Sequence, residues 1–73
     1  MEIQYDARSD MLYIGLHSRS SVESEEVAPG IVLDYDKDNS IVGIEITDGS
    51  KLADLTRLEV QGLTTALLRQ PAH

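Results

Sequence analysis

Four carboxylates fall within the run Asp34-x-Asp36-x-Asp38-Asn39-Ser40-Ile41-x-x-x-Glu45. Acids at the first, third, fifth and twelfth places, with an aliphatic residue at the eighth, make the oxygen-ligand pattern of a calcium loop, whose last member is a bidentate Glu. The sixth place needs a sharp turn and holds Asn39 where Gly is usual. The flanks also differ from a calcium loop, which sits between helices: Ile31 to Tyr35 and Ile41 to Ile46 alternate as strands, and Pro29-Gly30 opposes an incoming helix. Calcium binding through Asp34–Glu45 is therefore one alternative, and a solvated Asp/Asn turn is the simpler reading. A second constellation is His17 beside Ser18 and the glutamates Glu23, Glu25 and Glu26. An imidazole with its ordinary pKa near 6.5 is a competent general base, so an enzyme with a composite site at an oligomer interface is another alternative. No strand-turn-helix elbow surrounds any serine and no glycine-rich phosphate loop occurs, so the sequence assigns no catalytic, cofactor-binding or metal residue and favours a non-enzyme.

The elements that would position these groups are two β-hairpins. If Lys37–Ser40 form a four-residue loop, Asp36 faces Ile41, Tyr35 faces Val42 and Leu33 faces Ile44. Leu33, Tyr35, Val42, Ile44 and Ile46 then share a core face, and Asp34, Asp36 and Glu45 point to water on the other. Pairing Asp6 with Met11 does the same for Ile3, Tyr5, Leu12, Ile14 and Leu16, with Asp6 to Asp10 as the turn. The second unit is the first displaced by 30 positions: Tyr5-Asp6 recurs as Tyr35-Asp36, and Ile3, Leu12, Ile14 and Leu16 as Leu33, Val42, Ile44 and Ile46. Two copies are too few for a solenoid, so the expectation is a small antiparallel β-sheet from hairpins at about 2–17 and 27–48.

Serine-rich Ser18 to Glu26 reads as a surface connection, with Val27 able to extend pairing before a bend at Pro29-Gly30. Beyond Ile46, Asp48 or Ser50 offers a side-chain cap for a short helix near 50–55 that docks Leu52 and Leu55 on the sheet. Leu58 to Gln61 suits a fifth strand, although a helix from Ser50 to Leu68 would align Leu52, Leu55, Leu63 and Leu67. Thr64 to Gln70 suits a terminal helical turn, with a frayed tail about 69–73. The fold class is α+β, and residues 1–73 form one small β-rich domain.

A domain this short buries only about 60% of the surface of its unfolded chain, and no cysteine is present to staple it. Association is the common remedy, so a homo-oligomer is expected, a dimer in the first instance. A net charge of −7 with scattered cations argues against nucleic acid. No apolar run approaches the roughly 20 residues that cross a bilayer, which leaves a cytoplasmic location as the default.

Three stretches together resemble a known family: Tyr5-Asp6-Ala7-Arg8-Ser9-Asp10-Met11-Leu12-Tyr13-Ile14, then Pro29-Gly30-Ile31-Val32-Leu33-Asp34-Tyr35-Asp36, then Ile41-Val42-Gly43-Ile44-Glu45-Ile46 followed by Ser50-Lys51. Their order and spacing are similar to those of the bacterial family known as domain of unknown function 2283, over about residues 3 to 55. The resemblance implies a short β-rich domain with a small helix and brings no reaction, substrate or site. The chain departs from the family pattern at Asp48-Gly49-Ser50, where a small apolar residue more often precedes the serine.

The favoured function is an uncharacterised, non-enzymatic, self-associating interaction module, acting through the second sheet face, where Met11 and Tyr13 lie, or through Leu58–Leu68. Its rival is an antitoxin-like acidic protein that masks a small basic partner, motivated by the charge and the Glu23–Glu26 run.

Overall fold

The computed structural model describes residues 1–62. The expected terminal helix and frayed tail lie outside the described residues. The elements are β1 (Glu2–Asp6), β2 (Met11–Gly15), β3 (Glu23–Ala28), β4 (Ile31–Tyr35), β5 (Ile41–Ile46) and a single-turn helix α1 (Gly49–Leu52). They build one five-stranded sheet in the order β1-β2-β5-β4-β3, with every neighbouring pair antiparallel.

The first hairpin takes the register its alternation requires, with Ile3 opposite Ile14, Tyr5 opposite Leu12 and Asp6 opposite Met11. Its turn is held by Asp6, whose carboxylate accepts from the Arg8 amide and the Ser9 hydroxyl, both at 3.0 Å. The second hairpin keeps Leu33 opposite Ile44, but a register shift between Asp34 and Tyr35 places Tyr35 against Ile41, not Val42. Asp36 leaves the ladder and closes the turn, its amide donating to the Ser40 carbonyl at 2.9 Å. A tight turn with Asn39 at φ 62° replaces the plain four-residue loop and leaves an extra residue on β5, a β-bulge. Val42 sits in that bulge and is the most buried large side chain, 1% exposed.

The two hairpins meet along β2 and β5, where Leu12 opposes Ile46 and Ile14 opposes Ile44. Ile14 thus pairs with its own repeat mate, 30 positions on. The internal repeat is a pseudo-two-fold arrangement whose axis passes through the sheet between those two isoleucines.

The fifth strand is β3, within the stretch that reads from sequence as a loop, whereas residues 57–62 take neither strand nor helix. Alternation failed to reveal β3 because its residues, Glu-Ser-Glu-Glu-Val-Ala, are exposed throughout and carry no apolar period. What fixes it is the turn that follows: Pro29 and Gly30, at φ 81°, are the residue types of a type II turn and fold β3 back on β4. The Thr47 amide and hydroxyl tie that turn to the end of β5 by donating to the Gly30 carbonyl at 2.8 and 3.2 Å.

Neither expected side-chain cap operates at α1. Asp48 stands at the N-cap with φ 54° and makes no side-chain cap bond. Asp10, 40 residues earlier, supplies the cap: its carboxylate accepts from the Ser50 amide at 2.9 Å and the Ser50 hydroxyl at 2.6 Å, and its carbonyl accepts from the Gly49 amide at 2.7 Å. The first β-turn and the helix start are thereby one unit. The helix ends at Ala53, whose φ of −138° is extended, so it is shorter than the expected 50–55.

Candidate functional site

The ladder registers sort side chains into two faces. One row runs Ile3, Ile14, Ile44, Leu33, Glu25 across the sheet, and the next on that face runs Tyr5, Leu12, Ile46, Ile31, Ala28. This aliphatic face is the expected core face. Its central members are half-buried and Leu12 is 9% exposed. Toward β1 the cover thins: Ile3 and Tyr5 remain 48% and 47% exposed, beside Leu55 at 39% and Leu58 at 74%. These residues, with Leu12, Ile14 and Ala53 and the polar Asp54, Thr56 and Arg57, line an open, mainly apolar hollow of about 470 Å³ between the sheet and the segment that follows α1. Leu55, expected to dock on the sheet, is among the residues that line this hollow.

The opposite face carries the polar groups. Its rows run Gln4, Tyr13, Glu45, Val32, Glu26 and Glu2, Gly15, Gly43, Asp34, Ser24. Tyr13 does not stand free as an interface residue. Its ring lies over the opposed Gly15–Gly43 pair, so close that a Cβ on Gly43 would be 2.9 Å from ring carbons. Asp34 and Asp36 are each 5% exposed, so the expectation that they face water is overturned. The cause is cover from the 17–24 stretch. The Ser24 hydroxyl donates to Asp34 at 2.5 Å, and the Arg19 guanidinium lies 3.3 Å from Asp36.

Asp34 and Glu45 form a carboxyl pair diagonally across β4 and β5. A hydrogen bond to Asp34, partial burial and the adjoining negative charge of Asp34 all raise the Glu45 pKa. Asp36 is a turn anchor. Its Oδ1 accepts from the Asp38 and Ser40 amides, both at 2.9 Å. The Ser40 bond foremost, then those of Asp38 and the charges of Arg19 and His17, outweigh desolvation and hold its pKa low. The calcium pattern is therefore split: Asp34 pairs with Glu45 on the sheet, Asp36 holds the turn, and Asp38 is exposed within it. Among the described residues no three His, Asp or Glu side chains converge to hold a metal.

His17 borders a second open hollow, about 350 Å³, together with Glu2, Tyr13, Gly15 and Arg19. Ser18 lines the same hollow. The Glu23–Glu26 run forms the exposed edge strand β3. Sequence reasoning missed Asp10, which joins Tyr5, the turn and α1: the Tyr5 hydroxyl donates to its carboxylate at 2.7 Å. Bonds from Ser50 first, then Tyr5, lower the Asp10 pKa. No local signal marks that role, because every partner except Tyr5 is 39 or 40 positions away.

Among the described residues, no helix is long and apolar enough to cross a membrane. A family model described as "Protein of unknown function (DUF2283)" matches residues 2–50, which includes all five strands. No curated protein and no solved structure matched the chain.

Proposed function

The chain belongs to the DUF2283 family, and we propose that it is a self-associating interaction module whose contact surface is the aliphatic face near β1. The observation that carries this reading is the apolar hollow lined by Ile3, Tyr5, Leu12, Ile14, Leu55 and Leu58. A sheet buries its apolar face against a second layer. Among the described residues, the layer here is one helical turn and the irregular segment after it. Two copies related by a two-fold axis would set Ile3, Tyr5, Leu55 and Leu58 against their own equivalents, a self-complementary contact of the kind dimers use. The polar face is a weaker surface for this purpose, because Tyr13 is spent covering two glycines and the carboxyl pair is satisfied internally.

Light scattering coupled to size-exclusion chromatography tests the proposal. A dimer is expected at micromolar concentration, and Leu58→Lys is expected to give monomer with an unchanged circular dichroism spectrum. Leu58 is 74% exposed, so the folded monomer tolerates a lysine there. Wild-type monomer throughout the micromolar range, or a dimer indifferent to Leu58→Lys and to Ile3→Lys, would refute it.

A further inference from the structure

The two edges of the sheet are built differently, and their difference identifies a second contact surface. On β3, Glu23 and Glu25 lie on the aliphatic face and Glu26 on the polar face, and a register shift between Glu26 and Ala28 breaks the ladder. Charges on both faces and a bulge are the devices by which sheet edges avoid further pairing. The other edge, β1, has no bulge and carries charge on one face alone. It runs through five unbroken pairs with β2 and presents Ile3 and Tyr5 on the aliphatic face, with Glu2, Gln4 and Asp6 on the other. Among the described residues its outer side has no ladder partner.

The internal repeat shows that such an edge can take an outer antiparallel strand. The repeat mates of Ile3 and Tyr5 are Leu33 and Tyr35 in β4, and β4 does carry an outer antiparallel strand, with Glu25 opposite Leu33 and Glu23 opposite Tyr35. We infer that β1 is a docking edge for an extended segment of a partner protein that alternates basic and apolar residues and adds to the sheet as a sixth, antiparallel strand. Apolar residues opposite Ile3 and Tyr5 would continue the aliphatic rows. Basic residues would lie opposite Glu2, Gln4 and Asp6, where two carboxylates and a chain of net charge −7 favour them. A second copy of β1 fits this edge poorly. Antiparallel pairing centred on Gln4 sets Glu2 against Asp6 of the other copy, like charge on like charge.

The probe is the capped pentapeptide Lys-Val-Lys-Val-Lys, titrated into the full isotope-labelled chain and followed by amide resonances and hydrogen exchange. Shifts and slowed exchange are expected at Glu2–Asp6 and not at Glu23–Ala28, with binding that weakens as salt rises. Glu-Val-Glu-Val-Glu is expected to bind at least about tenfold more weakly, since the charge term then changes sign. The double variant Glu2→Lys/Gln4→Lys, both exposed positions, is expected to cut affinity by about tenfold or more with unchanged melting, whereas Glu25→Lys leaves it intact. The inference is overturned if β1 shows no response at millimolar peptide, if responses centre on β3, if the acidic peptide binds equally well, or if β1 amides are already protected by self-pairing in the peptide-free protein.

Discussion

Replacing Gly43 by alanine tests the most specific packing relation in the molecule. An ideal Cβ at this position meets the Tyr13 hydroxyl oxygen first and lies 2.9 Å from Cε1 and Cζ of that ring, whereas carbon atoms pack comfortably at about 3.5–4.0 Å. The ring must retreat by about 0.6 Å or more, and because Tyr13 is half-buried its way out is toward solvent, off the glycine pair. Overpacking costs about 1–3 kcal/mol, while Gly→Ala at an unstrained backbone returns about 0.4–1 kcal/mol by restricting the unfolded chain. A net loss of about 0.5–2 kcal/mol follows, and at about 4–8 °C per kcal/mol for a domain of this size the melting temperature falls by several degrees. Gly15→Ala is milder, since its Cβ would stand 3.2 Å from Cε2 of the same ring. The decisive measurement is a double-mutant cycle by thermal and urea melts at fixed protein concentration. In a Tyr13→Ala background the obstacle is gone, and Gly43→Ala should change sign and stabilise. Equal destabilisation with and without the ring would show that Gly43 is required for some other reason.

Glu45→Gln should raise stability at neutral pH relative to wild type. The folded pKa of Glu45 lies above its ordinary 4.5, so the stability its protonated form contributes is complete below that value and is lost as pH rises through the raised one. The amide donates to Asp34 at every pH, so the melting-temperature gap between variant and wild type should widen from pH 4 to pH 7, and a flat gap would count against the pair. Asp36 and Asp10 behave oppositely. Their pKa values are lowered from 3.8, so their contributions hold above that value and disappear as pH falls through the depressed ones. Asp36→Ala should speed hydrogen exchange at the Asp38 and Ser40 amides before it affects β1, and uniform acceleration across the sheet would contradict its local role. Asp10→Ala should lower the melting temperature, and Ser50→Ala should then add little, because both remove the same cap; additive losses would refute that linkage.

The sequence makes the hairpins legible because alternation at Ile3, Tyr5, Leu12, Ile14 and at Leu33, Ile44, Ile46 is the direct imprint of a one-sided core. Three things escape such a reading, each for a physical reason. β3 is held by backbone pairing after the Pro29-Gly30 turn and has no apolar period to detect. The Asp10 cap is a tertiary contact, so Asp48 and Ser50 looked like local caps when one has a left-handed backbone and the other is a donor to Asp10. The burial of Asp34 and Asp36 depends on where the Arg19 and Ser24 side chains fall, which period-two patterning does not encode. The acidic spacing that suggests calcium is real in the sequence, but strand pairing sends its members to separate tasks.

The pseudo-two-fold axis explains why the polar face is asymmetric at the centre of the sheet while the aliphatic face there is not. The cross-strand pair Tyr13–Glu45 is related by the 30-residue repeat to the pair Gly43–Gly15. On the aliphatic face the equivalent positions, Ile14 and Ile44, oppose each other on the axis, and two isoleucines fit there side by side. On the polar face the ring of Tyr13 reaches across the axis and occupies the space above both glycines. A tyrosine at position 43 would aim its ring back over the first pair, where Tyr13 and Glu45 already stand. One copy carries the large residue and the other the small one, so Tyr13 and Gly43 are sterically matched across the axis. The same asymmetry leaves Glu45, the mate of Gly15, beside Asp34, the mate of Gln4. The raised pKa of Glu45 thus arises from breaking the repeat at its axis, and the pH dependence of the melting-temperature gap between Glu45→Gln and wild type reads the consequence directly.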